Sequence, residues 1–320
     1  MRYIKIALVA LVIVLAVSFS SFISTVDSNL HGFPEEQQTA LDEQVSPSGA
    51  WGLSEVNVLL LGSDARADNP DLGARTDTIV LAHIDPTAKV ASLISIPRDT
   101  LIESDDYGWY KLNAAYTYGG PARTVDDVEL LLGIQIDHCV VTNFEGLSNL
   151  VDAIGGIDVE VDEMIDNPKA GDVIVPAGEQ TINGAQALVM ARDRDYVDGD
   201  YTRQSNQRKV LSGIARKILS MPPWQMPGAI EGCSKCLDTD SSTGTMGLLL
   251  TAARMKLPGS QMEMRTTVLP SRPAEIDGIS YVVADKAGSR ELLSRFYNGE
   301  NIEDPVSDSS IDRDIAQLDK

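Results

Sequence analysis

The stretch "VNVLLLGSDARADNPDLGARTDTIVLAHIDPTAKVASLISIPRDT", residues 56–100, decides the fold. It opens on the apolar run Val56 to Gly62, which has the length of a buried strand and stops at glycine. Two more β-rich runs follow, Thr78–Asp85 and Val90–Pro97. Pro86-Thr87-Ala88-Lys89 between them is turn chemistry, so the pair reads as a hairpin. Each strand boundary also carries charge. Ser63-Asp64-Ala65-Arg66 follows the first run, Arg75-Thr76-Asp77-Thr78 leads into the second, and Pro97-Arg98-Asp99 follows the third. Strand-end loops are where a rigid scaffold presents functional groups. One Asp–Arg pair would be an ordinary surface ion pair, worth little. The same pairing at three consecutive boundaries argues for a site.

Strands and helices interleave through the rest of the chain. Thr124–Gly133 predicts a helix with Thr124 as N-cap and Gly133 as stop, and Asn143–Gly156 a second helix closed by a glycine pair. "IDVEVD" after it alternates as a strand does, and residues 183–192 and 204–220 carry helical periodicity. Strands are expected at Arg265–Pro270 and Ile279–Asp285, with a last helix near Ser289–Tyr297. This alternation is that of an α/β, α-β-α layered domain, expected over 51–297, with an acidic flexible tail at 298–320.

Ahead of the domain, residues 25–50 are polar and aperiodic and read as a flexible extracellular linker. Before them, Ile6 to Ile23 is an uncharged apolar run behind the basic flank Met1–Lys5. A spanning helix needs roughly 17–25 such residues, so 6–24 is expected to be a transmembrane signal anchor with residues 1–5 in the cytoplasm and the bulk outside. A cleaved signal peptide is the competing reading, and no A-x-A-like site follows the run. Outside the cell, Cys233 and Cys236 are expected to form a structural disulfide, and Cys139 to be a small buried residue.

The net charge of −21, from 47 Asp and Glu against 26 Lys and Arg, argues against nucleic acid as a partner. One basic cluster stands out against that balance. Residues 190–207, "MARDRDYVDGDYTRQSNQ", place Arg192, Arg194 and Arg203 among Asp193, Asp195, Asp198 and Asp200. By itself the segment fits either a solvated surface or half of a site for a highly charged ligand. The strand-end residues favour the second reading. Asp64 and Asp77 sit on loops that the hairpin brings to one edge, and Mg²⁺ takes one or two carboxylates with phosphate oxygens and water completing its shell. Arg75 and Arg98 at the same edge offer planar forks that match phosphate. Carboxylates and arginines around one metal suit pyrophosphate chemistry.

The motif Gly62–Thr100 resembles the LytR-CpsA-Psr family of Gram-positive cell envelopes. "KLNAAYTYGGPARTVDDVELLLGIQIDH", "NFEGLSNLVDAIGGIDVEVD", "GEQTINGAQALVMARDRD" and "GDYTRQSNQRKVL" match in the same order, over roughly Val56 to Ser220 and more weakly to Phe296. The resemblance implies an α-β-α fold with a central mixed β-sheet and a deep apolar pocket for a polyprenyl tail. It implies a phosphotransferase that moves a glycopolymer (teichoic acid, capsule or similar) from a polyprenyl-pyrophosphate carrier to peptidoglycan, or in some members to protein, releasing polyprenyl phosphate. By motif, Asp64 and Asp77 would hold Mg²⁺, with Mn²⁺ as a substitute. Arg75 and Arg98 would bind pyrophosphate, and Arg192, Arg194 and Arg203 would grip it from the other side, with Gln207 beside them. Asp77, Arg98 and Asp200 would be the catalytic set, Asp200 and Gln207 holding the arginines or the acceptor, and Asp77 a candidate to help deprotonate the acceptor hydroxyl. Lys111 and Asn113 match the family pattern as well, either as a structural turn or as ligand contacts. A pyrophosphatase using water as acceptor and a non-enzymatic envelope regulator are the alternatives.

Overall fold

The computed structural model describes residues 17–48, 53–64, 74–196, 200–222, 224–256 and 263–303. Its centre is a six-stranded mixed sheet. The strands are β1 (Val56–Ser63), β2 (Thr76–Asp85), β3 (Val90–Ser95), β6 (His138–Asn143), β9 (Asp238–Thr239) and β10 (Glu263–Val268), in the order β10-β3-β2-β1-β6-β9. β1, β2 and β3 form an antiparallel meander, while β6 and β10 join it in parallel. The expected hairpin is present: the Asp85 carboxylate accepts from the backbone N–H groups of Thr87 and Ala88, and Lys89 closes the turn at φ 60°. β1 is apolar at successive positions because both of its faces are covered. Leu59 and Leu61 face one core with Ile79, Leu81 and Ile94, whereas Val56 and Val58 face another with Val80, Ala82 and Leu93.

Helices complete the layers on either side. The first face is covered by α2 (Glu35–Gln44), α3 (Ala115–Leu132) and α9 (Lys286–Tyr297), through Leu41, Val125, Val128, Leu292 and Phe296. The second takes Leu211 from α6 (Asp200–Ser220) and Leu248 from α8 (Thr245–Lys256). A further core gathers α4 (Phe144–Ala153), α5 (Gly184–Arg192) and α7 (Met226–Ser234) with the two-stranded ribbon β7 (Ile157–Val161) and β8 (Gly178–Ile182). Two more ribbons, β4 (Leu101–Ser104) with β5 (Gly108–Lys111) and β11 (Ser271–Ile276) with β12 (Ile279–Ala284), complete the α-β-α arrangement. Asn183 caps α5 in a capping box with Gln186, and Asn143 caps α4 by accepting from the Gly146 N–H.

Several expectations are corrected. Residues 25–48 do not form a loose tether. Residues 17–30 are helical (α1), and Asp27 accepts hydrogen bonds from the backbone and hydroxyl of Thr245. Leu41 of α2 is fully buried. These short helices bury few residues each, so tertiary contacts rather than periodicity hold them. Most of the expected anchor, residues 6–16, lies outside the described residues. Among the described residues no helix is long and apolar enough to cross a membrane. Thr124 is not an N-cap but lies inside α3, its hydroxyl donating to the Gly120 carbonyl. The tail expected after Tyr297 is pinned at its start, with Ile302 fully buried; residues 304–320 lie outside the description. Cys139 is buried as expected, but Cys233 and Cys236 are free thiols, the Cys236 Sγ turned to the Gly232 carbonyl.

At the sheet end remote from the strand-end charges, His83 is buried between Phe296 and Tyr297, its Nδ1 3.0 Å from the Asn57 Oδ1. Burial lowers its affinity for a proton, against the opposing pull of Glu55, Asp85 and Asp137. The unfolded chain therefore binds this proton more readily. The stability tied to neutral His83 is complete above the ordinary histidine value and is lost as pH falls through it. We expect the melting temperature to drop between about pH 7 and about pH 5, and His83→Gln to remove that part of the drop.

Candidate active site

A register slip places the central carboxylate. Gly62 pairs with Thr78 and Ser63 with Thr76, so Asp77 is the extra residue of a β-bulge in β2. Bulges re-aim a side chain beside an active site. Gly62 is required opposite it, because a Cβ there would come within 2.9 Å of the Thr78 Cβ.

Three arginines, one after β3 and two from the 190–207 segment, converge on Asp77. Arg98, from the turn after β3, donates through Nη1 to Oδ1 at 2.5 Å. Arg194 donates through Nη2 to Oδ2 at 2.9 Å, and Arg203 Nη1 stands 3.8 Å from the same oxygen. Arg203 is 1% exposed, a guanidinium held almost wholly out of water. Asp64 lies at the end of β1, closed on the loop from β2: its backbone N–H donates to the Arg75 carbonyl, and its Oδ1 accepts the Arg75 N–H at 2.6 Å.

These groups surround a cavity of about 520 Å³ lined by Asp64, Asp77, Arg192, Arg194, Arg203 and Gln207, with Phe144, Asn167, Lys169 and Asp195 among the remaining residues. Six of the residues singled out in the sequence thus line one space. Arg98 joins them through Asp77. Arg192 ends α5, and its guanidinium lies 4.7 Å from the Phe144 ring centroid, a cation–π contact that fixes its direction. The chain turns extended at Asp193 (φ −62°, ψ 137°), which lets Arg192 and Arg194 face the same cavity. α5 reaches this position by packing closely on α4: a Cβ at Gly184 would meet the Ser148 carbonyl oxygen at 2.0 Å.

Other candidates play different parts. Arg75 is exposed, and the contacts seen at Asp64 come from its backbone. The Gln207 side chain donates to the Ala191 carbonyl at 3.1 Å, bracing the end of α5 from α6. Asp200 opens α6, and its side chain lies outside the described residues, as does all of Asp198. Lys111 Nζ stands 3.5 Å from Asp99, and the Asn113 N–H donates to the Arg98 carbonyl, so both hold the turn that carries Arg98.

The sequence reading did not include the loop between β7 and β8. It supplies Lys169 and Asn167 to the cavity, and the Asn167 amide donates to the buried Asp193 at 2.7 Å. Asp193 thereby ties this loop to the arginine segment. Asp195 lines the cavity as well.

The arrangement concentrates four basic side chains, Arg192, Arg194, Arg203 and Lys169, against three acids in one recess, an environment for a polyanionic group rather than for an apolar tail. Each Asp77 oxygen meets a guanidinium yet keeps further lone-pair capacity. Among the described residues no group of three or more His, Cys, Asp or Glu gathers to hold a metal unaided. Asp64 and Asp77 still match the one or two carboxylates that Mg²⁺ takes when a phosphate ligand supplies the rest.

The LytR_cpsA_psr family model matches residues 18–296. The chain belongs to that family. The teichoic acid transferase TagU of Enterococcus faecalis is 40% identical over 168 residues, 52% of this chain and 54% of that protein. The Biofilm regulatory protein A of Streptococcus mutans is 33% identical over 257 residues, covering 74% and 61%. The chain thus spans roughly half to three fifths of the length of these two relatives. Among solved LytR_cpsA_psr-type structures, one described as "TagT bound to LIIa-WTA" matches with a TM-score of 0.64 at 25% identity, over 81% of this chain and 95% of that one. The six-stranded mixed sheet with helices on both faces agrees with the fold that this match indicates.

Proposed function

We propose that this chain is an extracellular, membrane-anchored phosphotransferase that moves a glycopolymer from a polyprenyl-pyrophosphate carrier to peptidoglycan. The convergence of Arg98, Arg194 and Arg203 on the bulged Asp77 carries this reading. The printed name of the E. faecalis relative, polyisoprenyl-teichoic acid–peptidoglycan teichoic acid transferase, supports it, as does the "LIIa-WTA" ligand named for TagT. Residues 6–24 serve as the anchor in this reading, keeping the domain beside its lipid donor.

The donor's pyrophosphate enters the cavity, where Arg98, Arg192, Arg194 and Arg203 bind its oxygens and Lys169 adds a point charge. Arg75 closes from the rim. An acceptor sugar hydroxyl attacks the phosphorus that carries the glycan; the bond from that phosphorus to the bridging oxygen breaks, and polyprenyl phosphate leaves with the bridging oxygen. Asp64 and Asp77 would hold Mg²⁺, which when bound neutralises charge on the pyrophosphate oxygens. Phosphoryl transition states are loose, so positioning and electrostatics outweigh help from a base. Asp77, facing three guanidiniums, acts chiefly by holding them in place and secondarily by receiving the hydroxyl proton. Asp200 and Gln207 support the arginine segment.

The metal part is testable by itself. Transfer by the full chain should be abolished by EDTA and restored by Mg²⁺ or Mn²⁺. Asp64→Ala should raise the Mg²⁺ concentration giving half-maximal activity by at least about tenfold. Activity indifferent to chelation would remove the metal from the proposal and leave the arginine site.

A further inference from the structure

The turn between β4 and β5 and the start of α3 present a pair of stacked tyrosines. Tyr107 is 50% and Tyr118 42% exposed, yet their rings lie 4.3 Å apart at an interplanar angle of 6°. Exposed aromatics are ordinarily scattered singly, and a rigid exposed stack calls for an explanation. The buried Tyr110 meets both rings edge-on, at 6.3 and 5.1 Å, and its hydroxyl donates to Asp127 at 2.5 Å. Arg123 donates to the Tyr110 hydroxyl and to Ser104, with its guanidinium carbon 5.8 Å from the Tyr107 ring centroid. The pair is therefore held from beneath by buried polar groups, and a ligand would have little rotamer freedom to freeze there.

Its placement ties it to the reacting end of the molecule. Tyr118 precedes a break in α3, where Gly119 (φ −155°, ψ 24°) and Gly120 (φ 66°, ψ −154°) leave the helical conformation. One residue earlier, the Thr117 hydroxyl donates to the Ala74 carbonyl at 2.7 Å. Ala74 adjoins Arg75, whose N–H caps Asp64. The turn of α3 that carries Tyr118 is thus tied through Thr117 to the segment that closes on Asp64. Its charge is opposite to the cavity's: Glu103, Asp105 and Asp106 are exposed around Tyr107. An acidic rim repels a polyanionic donor and attracts amines.

We infer that Tyr107 and Tyr118 form the acceptor platform, on which a sugar ring of a peptide-bearing glycan stacks while Asp105 and Asp106 attract the free amines of its stem peptides. This rests on the transfer reading above, to which it adds a sorting rule. The arginine cavity takes the anionic donor, and the acidic aromatic face takes the acceptor and excludes a second donor. A tyrosine face suits a sugar because it offers flat apolar area at a cost of few rotamers.

The test titrates the full chain in detergent micelles with two probes, a soluble peptidoglycan oligomer with amine-bearing stem peptides and chitotetraose, which has none. Both should bind, the peptide-bearing oligomer more tightly and with a stronger salt dependence. Tyr118→Ala should weaken both by about tenfold, and Tyr118→Phe should keep both within about twofold because stacking needs the ring alone. Asp105→Asn with Asp106→Asn should weaken only the peptide-bearing probe. Unchanged affinity in Tyr118→Ala overturns the platform, as does a tenfold loss in Tyr118→Phe or a loss of melting temperature with no loss of binding. If the wild-type chain binds the oligomer but never joins it to a glycan, the transfer reading fails while the platform stands. Conjugation at wild-type levels with Tyr118→Ala binding unimpaired leaves the transfer reading intact and removes the platform.

Discussion

Asp77→Asn should lower the rate of transfer by about 10³-fold at saturating donor while leaving donor affinity equal or better. The side chain sits on a bulge, and its two oxygens receive Arg98 at 2.5 Å and Arg194 at 2.9 Å, with Arg203 3.8 Å away. Asparagine keeps the size but turns one acceptor into a donor, which would point an N–H₂ at a guanidinium. It also removes the carboxylate charge that these three cations share, so they repel one another and spread before the donor arrives. The cavity becomes one unit more positive, which favours a pyrophosphate ground state. What is lost is the fixed array that matches charge in the transition state, and such a loss appears in kcat rather than KM. Single-turnover rates measured over a range of donor concentrations separate the two effects. A variant within about threefold of wild type in kcat would show that the array does not depend on Asp77.

Arg203→Lys has the second largest expected effect, about 10² in kcat/KM. Arg203 projects from α6 into the cavity while being 1% exposed, and its Nη1 is directed at Asp77. A guanidinium can span a carboxylate and a phosphate at once because its donors form a rigid planar fork. An ammonium is a compact point charge on a flexible stem, and it is more strongly hydrated, so burying it is less favourable. Charge is conserved in this substitution, which makes it a test of geometry. Activity within threefold of wild type would reduce Arg203 to a source of positive potential.

How far these sites could be foreseen differs from residue to residue. β1 to β3 follow from apolar runs bounded by turn chemistry, and Asp64, Asp77 and Arg98 stand at the strand ends where the sequence put them. The bulge that aims Asp77 has no comparable signal, because a one-residue slip in pairing is a property of two strands together. Arg192, Arg194 and Arg203 were ambiguous from their own segment, since alternating charge also marks a solvated surface. The convergence of Arg194 and Arg203 on Asp77, and the place of all three in the cavity lining, separate them from Asp193, whose carboxylate is buried and takes the Asn167 amide. Lys169 and Asn167 lie in an irregular loop that no periodicity describes. The helices within 25–48 were read as a tether for a similar reason. α2 carries seven Glu, Gln or Asp residues ahead of and around its one buried side chain, Leu41, and it is held by the rest of the domain. The family resemblance supplied roles, and the packing supplied the partners: Gln207 braces the Ala191 carbonyl, and Lys111 and Asn113 hold the Arg98 turn.

The most direct test of the transfer reading is the fate of the phosphorus. The full chain, a polyprenyl-pyrophosphate glycan, Mg²⁺ and a peptidoglycan oligomer are incubated in water enriched in ¹⁸O, and the products are weighed by mass spectrometry. Transfer predicts a glycan joined to peptidoglycan through a phosphodiester that contains no ¹⁸O, together with one polyprenyl phosphate per conjugate. Glycan phosphate carrying one ¹⁸O, with no conjugate, would show that water is the acceptor and would contradict the account.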